Sequence, residues 1–373
     1  MEFTFNDEQE ILKNSVRKFL EAHCGKSVLR DLEVSGTGFS QTIWKEMSDL
    51  GWMGTIIPAE YEGVEITLLE LAVILEEIGR AAMPLPILDT TMAALALMQA
   101  GTESQKKEFL PQIATGKFII AVAVEEPEVN YDVEYISSKA EKKDAGYLLN
   151  GTKLFVPFAT VADYLLVAAR TSGSPGDETG LSLFWVETKS PGIGFTEMKT
   201  ISGRQFRADL SNVSVPASHV IGLPGNALST LQDIRKKAAA LQCIEMVGGA
   251  QKELEMTAEY TKMRHQFDRP LGTFQAVQHR LADMYIAVQG ARLAGYKAVW
   301  RLSEGLPADQ EVAIAKYFTN KACQEVAFSA QQLHGGIGFS QEYDLHFYYR
   351  RAKSFELRFG PQAHHLKALG AAI

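Results

Sequence analysis

The feature that most constrains the fold is a long stretch without proline, covering residues 226–262. As one helix it would be roughly 55 Å long, at about 1.5 Å per residue. Three more helical stretches follow, over residues 274–302, 308–333 and 341–373. The last of them is interrupted once, near Gly360 and Pro361. Long helices joined by short connections predict an antiparallel four-helix bundle in the C-terminal part of the chain.

The first part of the chain also has helical patterns. Asn6 and Gln9 form a cap before apolar residues at helical spacing, and Thr67 with Glu70 forms a capping box before a second such run. Two shorter helices are predicted near residues 92–98 and 105–113. Residues 1–117 are therefore expected to be an N-terminal α-helical domain.

From about residue 118 the pattern changes to short apolar runs separated by turn-forming residues. The dipeptide Asn150-Gly151 favours a hairpin turn. These runs predict a compact antiparallel β domain over residues 118–222, and the strands are expected near residues 119–124, 147–156, 164–169, 181–186 and 210–215. The expected fold class is α+β, with the helical bundle over residues 223–373.

Composition excludes several classes of protein. The net charge of −8 argues against nucleic acid and anionic membranes as partners. The three cysteines lack the spacing of a disulfide framework or a metal site, which indicates reduced thiols and a cytoplasmic protein. The N-terminus lacks the pattern of a signal peptide, and no apolar run reaches the roughly 20 residues needed to cross a bilayer.

Several segments resemble the acyl-CoA dehydrogenase family in the same order, and they are residues 51–63, 76–80, 213–222, 264–284 and 332–339. The resemblance covers the whole chain. It implies the family's three-domain fold, FAD as hydride acceptor, and an acyl-CoA thioester desaturated between its α and β carbons. It also implies an electron-transfer flavoprotein as the electron acceptor.

The segment after the long helix carries the first set of implied flavin contacts, namely Arg264, Gln266, Phe267, Leu271 and Gln275. In the family, an arginine here contacts the FAD pyrophosphate of the neighbouring subunit, a role that suits a guanidinium because it stays charged and can bind two phosphate oxygens. The alternative is a cation placed near a helix C-terminus by the helix dipole. The segment departs from the family at Asp268, where glycine is usual.

A second set comprises Gln332, Gly335 and Gly336, which the resemblance places against the adenosine and pyrophosphate end of the partner's FAD. Glycines allow close approach of the backbone, and a glutamine amide both donates and accepts hydrogen bonds. The glycines also suit a simple helix stop.

Three segments that family members use for their own flavin are altered. The family pattern Thr-Glu-Pro-x-Ala-Gly-Ser-Asp corresponds to residues 125–132, where Glu125 replaces the threonine. Pro157 replaces a threonine that offers a hydroxyl and an N–H, neither of which proline has. The Gly-Thr-Ser-Gln sequence near the end of the family's chain reads Gly360-Pro361-Gln362-Ala363.

The carboxylate base is also missing. Removing the α-proton requires a carboxylate beside the substrate, and the two positions that hold it in the family are Phe359 and Ala238 here. The nearby Glu356 and Glu245 are interpreted as solvated or ion-paired helix residues. No catalytic residue and no metal ligand is therefore assigned to this chain.

The residues that would contact a partner's FAD are retained, whereas the residues that would hold this chain's own FAD are altered. This pattern favours a non-catalytic subunit. It would complete the FAD site of a homologous catalytic subunit, as in the heteromeric α2β2 members of the family that act in steroid degradation. Two alternatives remain open at this point. One is a self-sufficient homo-oligomer whose base is Glu356 or Glu245, and the other is a scaffold or CoA-thioester binding protein without flavin.

Overall fold

The structure is a computed structural model and describes residues 4–128 and 131–371. The described residues form two compact units. The helical unit takes its described residues from Met1–Asp31, Thr67–Met83 and Ala239–Ile373. The sheet unit comprises Leu32–Ile66 and Pro84–Ala238. The two units do not coincide with the three domains expected from the sequence, because each unit contains N-terminal helices and part of the long helix.

The helices of the described chain are α1 (Asp7–His23), α2 (Lys26–Val34), α3 (Gln41–Asp49), α4 (Leu68–Ala81), α5 (Ile87–Ala100), α6 (Glu103–Ala114), α7 (Leu228–Met263), α8 (Gln275–Ser303), α9 (Asp309–His334), α10 (Leu345–Leu357) and α11 (Gln362–Ala371). The strands are β1 (Ile120–Ala123), β2 (Lys139–Lys143), β3 (Gly146–Pro157), β4 (Tyr164–Arg170), β5 (Leu181–Glu187), β6 (Ile193–Met198), β7 (Gln205–Pro216), β8 (Val220–Ile221), β9 (His265–Gln266) and β10 (Arg269–Pro270).

The predicted helix starts are confirmed. The Asn6 side chain accepts a hydrogen bond from the Gln9 N–H at 2.8 Å, and the Gln9 side chain accepts one from the Asn6 N–H at 3.2 Å. Thr67 and Glu70 form the same reciprocal box before α4. Each box satisfies N–H groups that the first helical turn leaves without intrahelical partners.

The long C-terminal helices are confirmed too, and α7 is a single helix of 36 residues. Within the helical unit, α4 and α7 cross at two glycines. A Cβ on Gly79 would lie 1.8 Å from the carbonyl oxygen of Glu245, and one on Gly248 would lie 1.8 Å from that of Glu76. Only glycine permits this close backbone contact, which fixes α4 against α7.

The large sheet has the order β6-β7-β3-β2-β4-β5-β8, with β1 also paired to β4. Most strand pairs are antiparallel, as expected. However, β4 pairs in parallel with β1 and with β2, so the expected antiparallel domain is observed as a mixed sheet that departs from the expectation at this strand. Apolar runs indicate strands, but they carry no information about which distant strand becomes the neighbour.

The hairpin predicted at Asn150-Gly151 is also wrong, because β3 continues through this dipeptide. The pairing with β7 shifts register between Leu149 and Gly151, which marks a bulge. The Asn150 side-chain oxygen Oδ1 accepts a hydrogen bond from the Asn212 backbone N–H at 2.8 Å across that bulge. Pairing along the whole strand therefore overrides the local preference of the dipeptide for a turn.

Candidate functional site

The segment after α7 forms a small hairpin. β9 and β10 pair antiparallel, with Gln266 opposite Arg269. Between the two strands, Phe267 and Asp268 have φ angles of +53° and +63°, as in the left-handed turns that close two-residue hairpins. Aspartate tolerates this conformation better than most residues, so Asp268 is compatible with the turn that the family builds with glycine.

The side chains of this hairpin are available to a ligand or a partner. Phe267 is 87% exposed. The Arg264 backbone is fixed at both ends, since its N–H donates to the Tyr260 carbonyl at 2.9 Å and its carbonyl accepts from the Leu271 N–H at 2.8 Å. The Arg264 guanidinium is exposed, and in the described part of the chain it has no hydrogen bond or ion pair. Gln266 and Gln275 are exposed, and Leu271 is half-buried.

The second predicted set lies at the end of α9. Gln332 is exposed in the last turn, and α9 ends at His334. Gly335 has a φ of +65°, which suits glycine. A Cβ added to Gly335 or Gly336 would find no described atom within 4 Å. The backbone of both glycines is therefore open to close approach by a ligand.

Tyr260 connects the two sets. Its ring stacks on the His334 ring with 4.4 Å between centroids, and its hydroxyl lies 3.4 Å from the His334 carbonyl oxygen. The His334 ring in turn bonds the Ala330 carbonyl at 2.8 Å and the Tyr343 hydroxyl at 3.1 Å. The predicted cofactor-binding residues therefore lie on segments that meet at one end of the bundle. An exposed guanidinium, exposed amides and open glycine backbone fit an anionic, hydrogen-bonding group such as a pyrophosphate.

At the first expected base position the structure has a buried aromatic ring. Phe359 is 7% exposed, and the Arg358 guanidinium lies 4.9 Å from its ring centroid. The His365 ring nitrogen Nε2 lies 3.0 Å from the Phe359 carbonyl oxygen. Burial lowers the pKa of His365 to about 4, so the imidazole is neutral near pH 7. The other expected position, Ala238, is fully buried and equally lacks a proton acceptor.

The two carboxylates near these positions are ion-paired. Glu245 binds Arg351 at 2.5 Å, and its side chain is 7% exposed. Glu356 binds Lys353 at 3.0 Å. Both arrangements agree with the interpretation of these residues as ion-paired helix residues.

Sequence reasoning missed a third carboxylate, Glu253. It lies on α7, is 1% exposed, and burial raises its pKa to about 8. A raised pKa is a property of many catalytic acids and bases. Glu253, however, lies fifteen residues after Ala238 on the same helix, which is about 22 Å at the α-helical rise. It therefore cannot replace a base at Ala238. The position of Glu253 in the helical pattern of the sequence did not indicate that its side chain is buried.

In the sheet unit, the first altered own-flavin segment is held by a buried ion pair. Lys153 is fully buried and binds Glu126 at 2.7 Å, and Glu126 also accepts bonds from Ser137 and Ser138. Burial opposes the ionisation of Glu126, but these partners outweigh it and lower the pKa to about 2. Burial lowers the pKa of Lys153.

The residue that replaces the family's threonine is ion-paired as well. Glu125 binds Arg235 at 2.6 Å, so this position offers a paired carboxylate where the family offers a hydroxyl. Pro157 ends β3 and has no N–H to donate. Residues 129–130 of the same segment lie outside the described residues.

One face of the bundle is apolar and exposed. On α8, Ile286 and Leu293 are 67% and 48% exposed, and on α9, Ile314 and Phe318 are 45% and 39% exposed. These residues belong to one surface, because a Cβ on Gly290 of α8 would lie 2.7 Å from the Phe318 ring. We call these four residues the α8–α9 apolar patch. Exposed apolar patches of this kind mark protein interaction sites.

Across the described ranges, no helix is long and apolar enough to span a membrane. Within the same ranges, no group of three or more His, Cys, Asp or Glu side chains is arranged to hold a metal ion.

Three family models match the chain in sequence order. The acyl-CoA dehydrogenase N-terminal domain matches residues 6–117, the middle domain residues 121–215 and the C-terminal domain residues 232–373. Glutaryl-CoA dehydrogenase of Desulfococcus multivorans is 32% identical over 372 residues, covering 95% of this chain and 93% of that protein.

Two solved structures have folds similar to that of this chain. The ChsE4–ChsE5 complex of Mycobacterium tuberculosis contains a chain 29% identical to this one, with a TM-score of 0.91, covering 100% of this chain and 98% of that one. The Tcur3481–Tcur3483 steroid acyl-CoA dehydrogenase, as a G363A variant, gives 32% identity and a TM-score of 0.88, covering 98% and 97%. FAD is the cofactor of these enzymes as a family. The three matched domains and the full-length relative place this chain in the acyl-CoA dehydrogenase family.

Proposed function

We propose that this chain is the non-catalytic subunit of a heteromeric acyl-CoA dehydrogenase, in which it completes the FAD site of a homologous catalytic subunit. One observation carries the proposal. The positions that should hold the base are a buried phenylalanine and a buried alanine, whereas Arg264 and Gln332 are exposed at the bundle end where a partner's cofactor could reach them.

In this proposal, the exposed residues of the hairpin after α7 and of the end of α9 have defined roles. The Arg264 guanidinium binds phosphate oxygens of the partner's FAD, and the Gln332 amide bonds the adenosine end. Gly335 and Gly336 let the backbone approach closely, since nothing lies where their side chains would be. Four further residues contact the cofactor from the hairpin and the start of α8, namely Gln266, Phe267, Leu271 and Gln275.

The partner supplies what this chain lacks. When bound, FAD accepts the hydride that leaves the β-carbon of the acyl-CoA, and the partner's carboxylate removes the α-proton. This chain contributes neither group, because Phe359 and Ala238 cannot accept a proton. The proposed assembly is an α2β2 heterotetramer in the cytoplasm, with an electron-transfer flavoprotein as acceptor.

The α8–α9 apolar patch supports a homologous partner. A patch of four apolar side chains on two packed helices is unfavourable in water and would be covered in an assembly. The structural similarity to chains of the ChsE4–ChsE5 complex and of a steroid acyl-CoA dehydrogenase supports a heteromer whose substrate carries a bulky ring system. The proposed domain division remains residues 1–117, 118–222 and 223–373.

The direct test is the amount of flavin bound per chain, for this chain alone and when co-expressed with the product of the neighbouring reading frame. The proposal predicts no flavin alone and about one FAD per pair of chains in the complex. One flavin per chain in the isolated, active protein would instead support a self-sufficient homo-oligomer. No flavin in any complex would support a scaffold.

Substitution sharpens this test. Arg264→Ala should lower flavin retention and activity of the complex together. Lys262→Ala is a matched control, since Lys262 is an exposed cation in the last turn of α7 and pairs with the exposed Glu259 at 2.6 Å. Full flavin and activity in the Arg264→Ala complex would remove the main support for the proposal.

A further inference from the structure

The turn of the hairpin after α7 holds a bulky residue in a strained backbone conformation. Phe267 has a φ of +53°, and its side chain is 87% exposed. A bulky residue in the left-handed region is uncommon, and such a conformation persists only where surrounding contacts hold it. The pairing of β9 with β10 is one of these contacts, and the packing of the Phe267 ring is a second.

The Phe267 ring packs against the ring of Phe274. Their ring centroids lie 6.2 Å apart, with 76° between the ring planes, which is the T-shaped arrangement that aromatic pairs favour. Phe274 is half-buried and directly precedes α8. The aromatic pair therefore joins the tip of the hairpin to the start of α8.

Arg269 stacks on the same Phe274 ring. Its guanidinium carbon lies 3.9 Å from the ring centroid, well within the roughly 6 Å of a cation–π contact. A planar guanidinium can stack on an aromatic ring, which a lysine ammonium cannot do. In the described part of the chain, the Arg269 side chain has no ion pair with a carboxylate. The ring, and not a counter-ion, therefore orients this guanidinium.

These three side chains lie among the proposed flavin contacts. Phe267 is one of those contacts, and Arg269 lies opposite a second, Gln266, in the register of the hairpin. Phe274 is followed directly by a third, Gln275. Side chains of directly opposite residues in antiparallel strands lie on the same face. A movement of the hairpin relative to α8 would therefore separate residues that have to meet one cofactor together.

We propose that Arg269 and Phe274 are positioning residues of the proposed flavin site. By stacking on Phe274, which packs against Phe267, Arg269 holds the tip of the hairpin at the start of α8. Neither Arg269 nor Phe274 is assigned a contact with the cofactor. Their stack orders the hairpin before the partner's FAD binds, and this lowers the entropic cost of binding. The inference rests on the proposed function and adds to it the residues that arrange the contacts.

The first experiment uses the isolated chain and needs no flavin. Amide hydrogen exchange followed by mass spectrometry reports local opening of the hairpin. Arg269→Gln and Phe274→Leu should each speed exchange in a peptide covering residues 264–271 by about two- to tenfold, and exchange in α9 should not change. Arg280→Gln is the control, since Arg280 is an exposed arginine of α8 that contacts no ring among the described residues. Native exchange rates in both test variants would overturn the proposal.

The second experiment is flavin titration of the apo-complex. Arg269→Gln should raise the dissociation constant of FAD by about two- to fivefold. Phe274→Leu should raise it at least as much, because it removes both ring contacts. Arg269→Lys keeps the charge but not the stacked plane, so it should recover binding only in part. Weak binding by Arg269→Gln together with normal binding by Phe274→Leu would mean that Arg269 contacts the cofactor directly, which contradicts a positioning role.

Arg264→Ala in the same titration separates this inference from the proposed function. If Arg264→Ala loses flavin while the Arg269 and Phe274 variants bind it normally, the positioning role is wrong and the shared FAD site stands. Normal flavin binding by Arg264→Ala would instead remove the main support for the proposed function, and the positioning role would fall with it.

Discussion

Tyr260 stacks on His334 with 4.4 Å between ring centroids and 24° between ring planes. The contact joins the end of α7 to the end of α9. Arg264 follows Tyr260 by four residues, and Gln332 precedes His334 by two. This stacked pair therefore contributes to the relative position of the two proposed flavin contacts, although neither ring is itself a predicted contact.

Tyr260→Ala should weaken flavin binding in the complex, because it removes the pair that positions Arg264 relative to Gln332. Stacked aromatic pairs contribute about 0.5–1.5 kcal/mol, so the dissociation constant should rise by up to about tenfold. Flavin titration of the apo-complex measures this change. Tyr260→Phe keeps the ring and loses only a long hydroxyl contact of 3.4 Å, so it should bind flavin normally. Equal binding by the alanine variant would show that the stack does not position the site.

Phe359→Glu restores the residue type that the family uses as base, yet we expect no dehydrogenase activity from the isolated chain. The own-flavin segments still carry Glu125 and Pro157, and the new carboxyl lies in a site where the native ring is 7% exposed. Burying it without a designed partner should lower stability by about 2–4 kcal/mol.

Thermal unfolding and an activity assay with an artificial electron acceptor measure both effects. Phe359→Leu is the control, since it keeps an apolar side chain and should lose less stability than Phe359→Glu. Dehydrogenase activity in the isolated Phe359→Glu chain would show that the altered pocket still binds flavin productively.

The helices of this chain could be predicted from the sequence because their signals are local. The capping boxes at Asn6 and Thr67 lie within four residues, and the long α7 follows from the absence of proline over a continuous stretch. The direction of β4 and the bulge at Asn150 could not be predicted, since both depend on pairing with distant strands. Local patterns describe an element well and its neighbours poorly.

The candidate site shows the same limit. Motifs predict Arg264 and Gln332 as contact residues, but only the fold shows that Tyr260 and His334 bring their segments together. Glu253 was missed for a related reason. A glutamate on a helix resembles a solvated residue until side chains from α9 and α10 cover it.

Arg292→Met should destabilise the helical unit. Arg292 of α8 binds Glu76 of α4 at 2.6 Å, and the Glu76 side chain is 6% exposed. Tyr296 also donates to Glu76, at 2.7 Å. Among the described residues, losing the arginine leaves the buried Glu76 carboxylate with Tyr296 as its remaining partner, which should lower the free energy of unfolding by about 3 kcal/mol.

Urea unfolding followed by circular dichroism measures this loss. Tyr296→Phe removes a single hydrogen bond and should lower the free energy of unfolding by about 1–2 kcal/mol. Arg207→Met, which breaks the exposed pair with Asp209, should leave the unfolding midpoint nearly unchanged. A similar midpoint for Arg292→Met and Arg207→Met would mean that the buried pair does not stabilise the unit.

The stability of the protein should depend on pH through Glu253. Its pKa is about 8 in the folded chain against 4.5 for an ordinary glutamate. Below pH 4.5 both the folded and the unfolded chain keep this proton, so its contribution to stability is fully present. Between pH 4.5 and about 8 the unfolded chain releases the proton while the folded chain retains it, so the free energy of unfolding falls as the pH rises.

The expected slope from this one group is about 1.4 kcal/mol per pH unit at most. Glu253→Gln cannot ionise and so removes the dependence, while other titrating groups contribute equally to both proteins. The difference in free energy of unfolding between the native chain and Glu253→Gln, measured in urea from pH 5.5 to 7.5, should therefore shift steadily in favour of the variant as the pH rises. A difference that stays constant over this range would mean that Glu253 is already ionised in the folded protein, and that its carboxylate has a partner in the bundle that neutralises its charge.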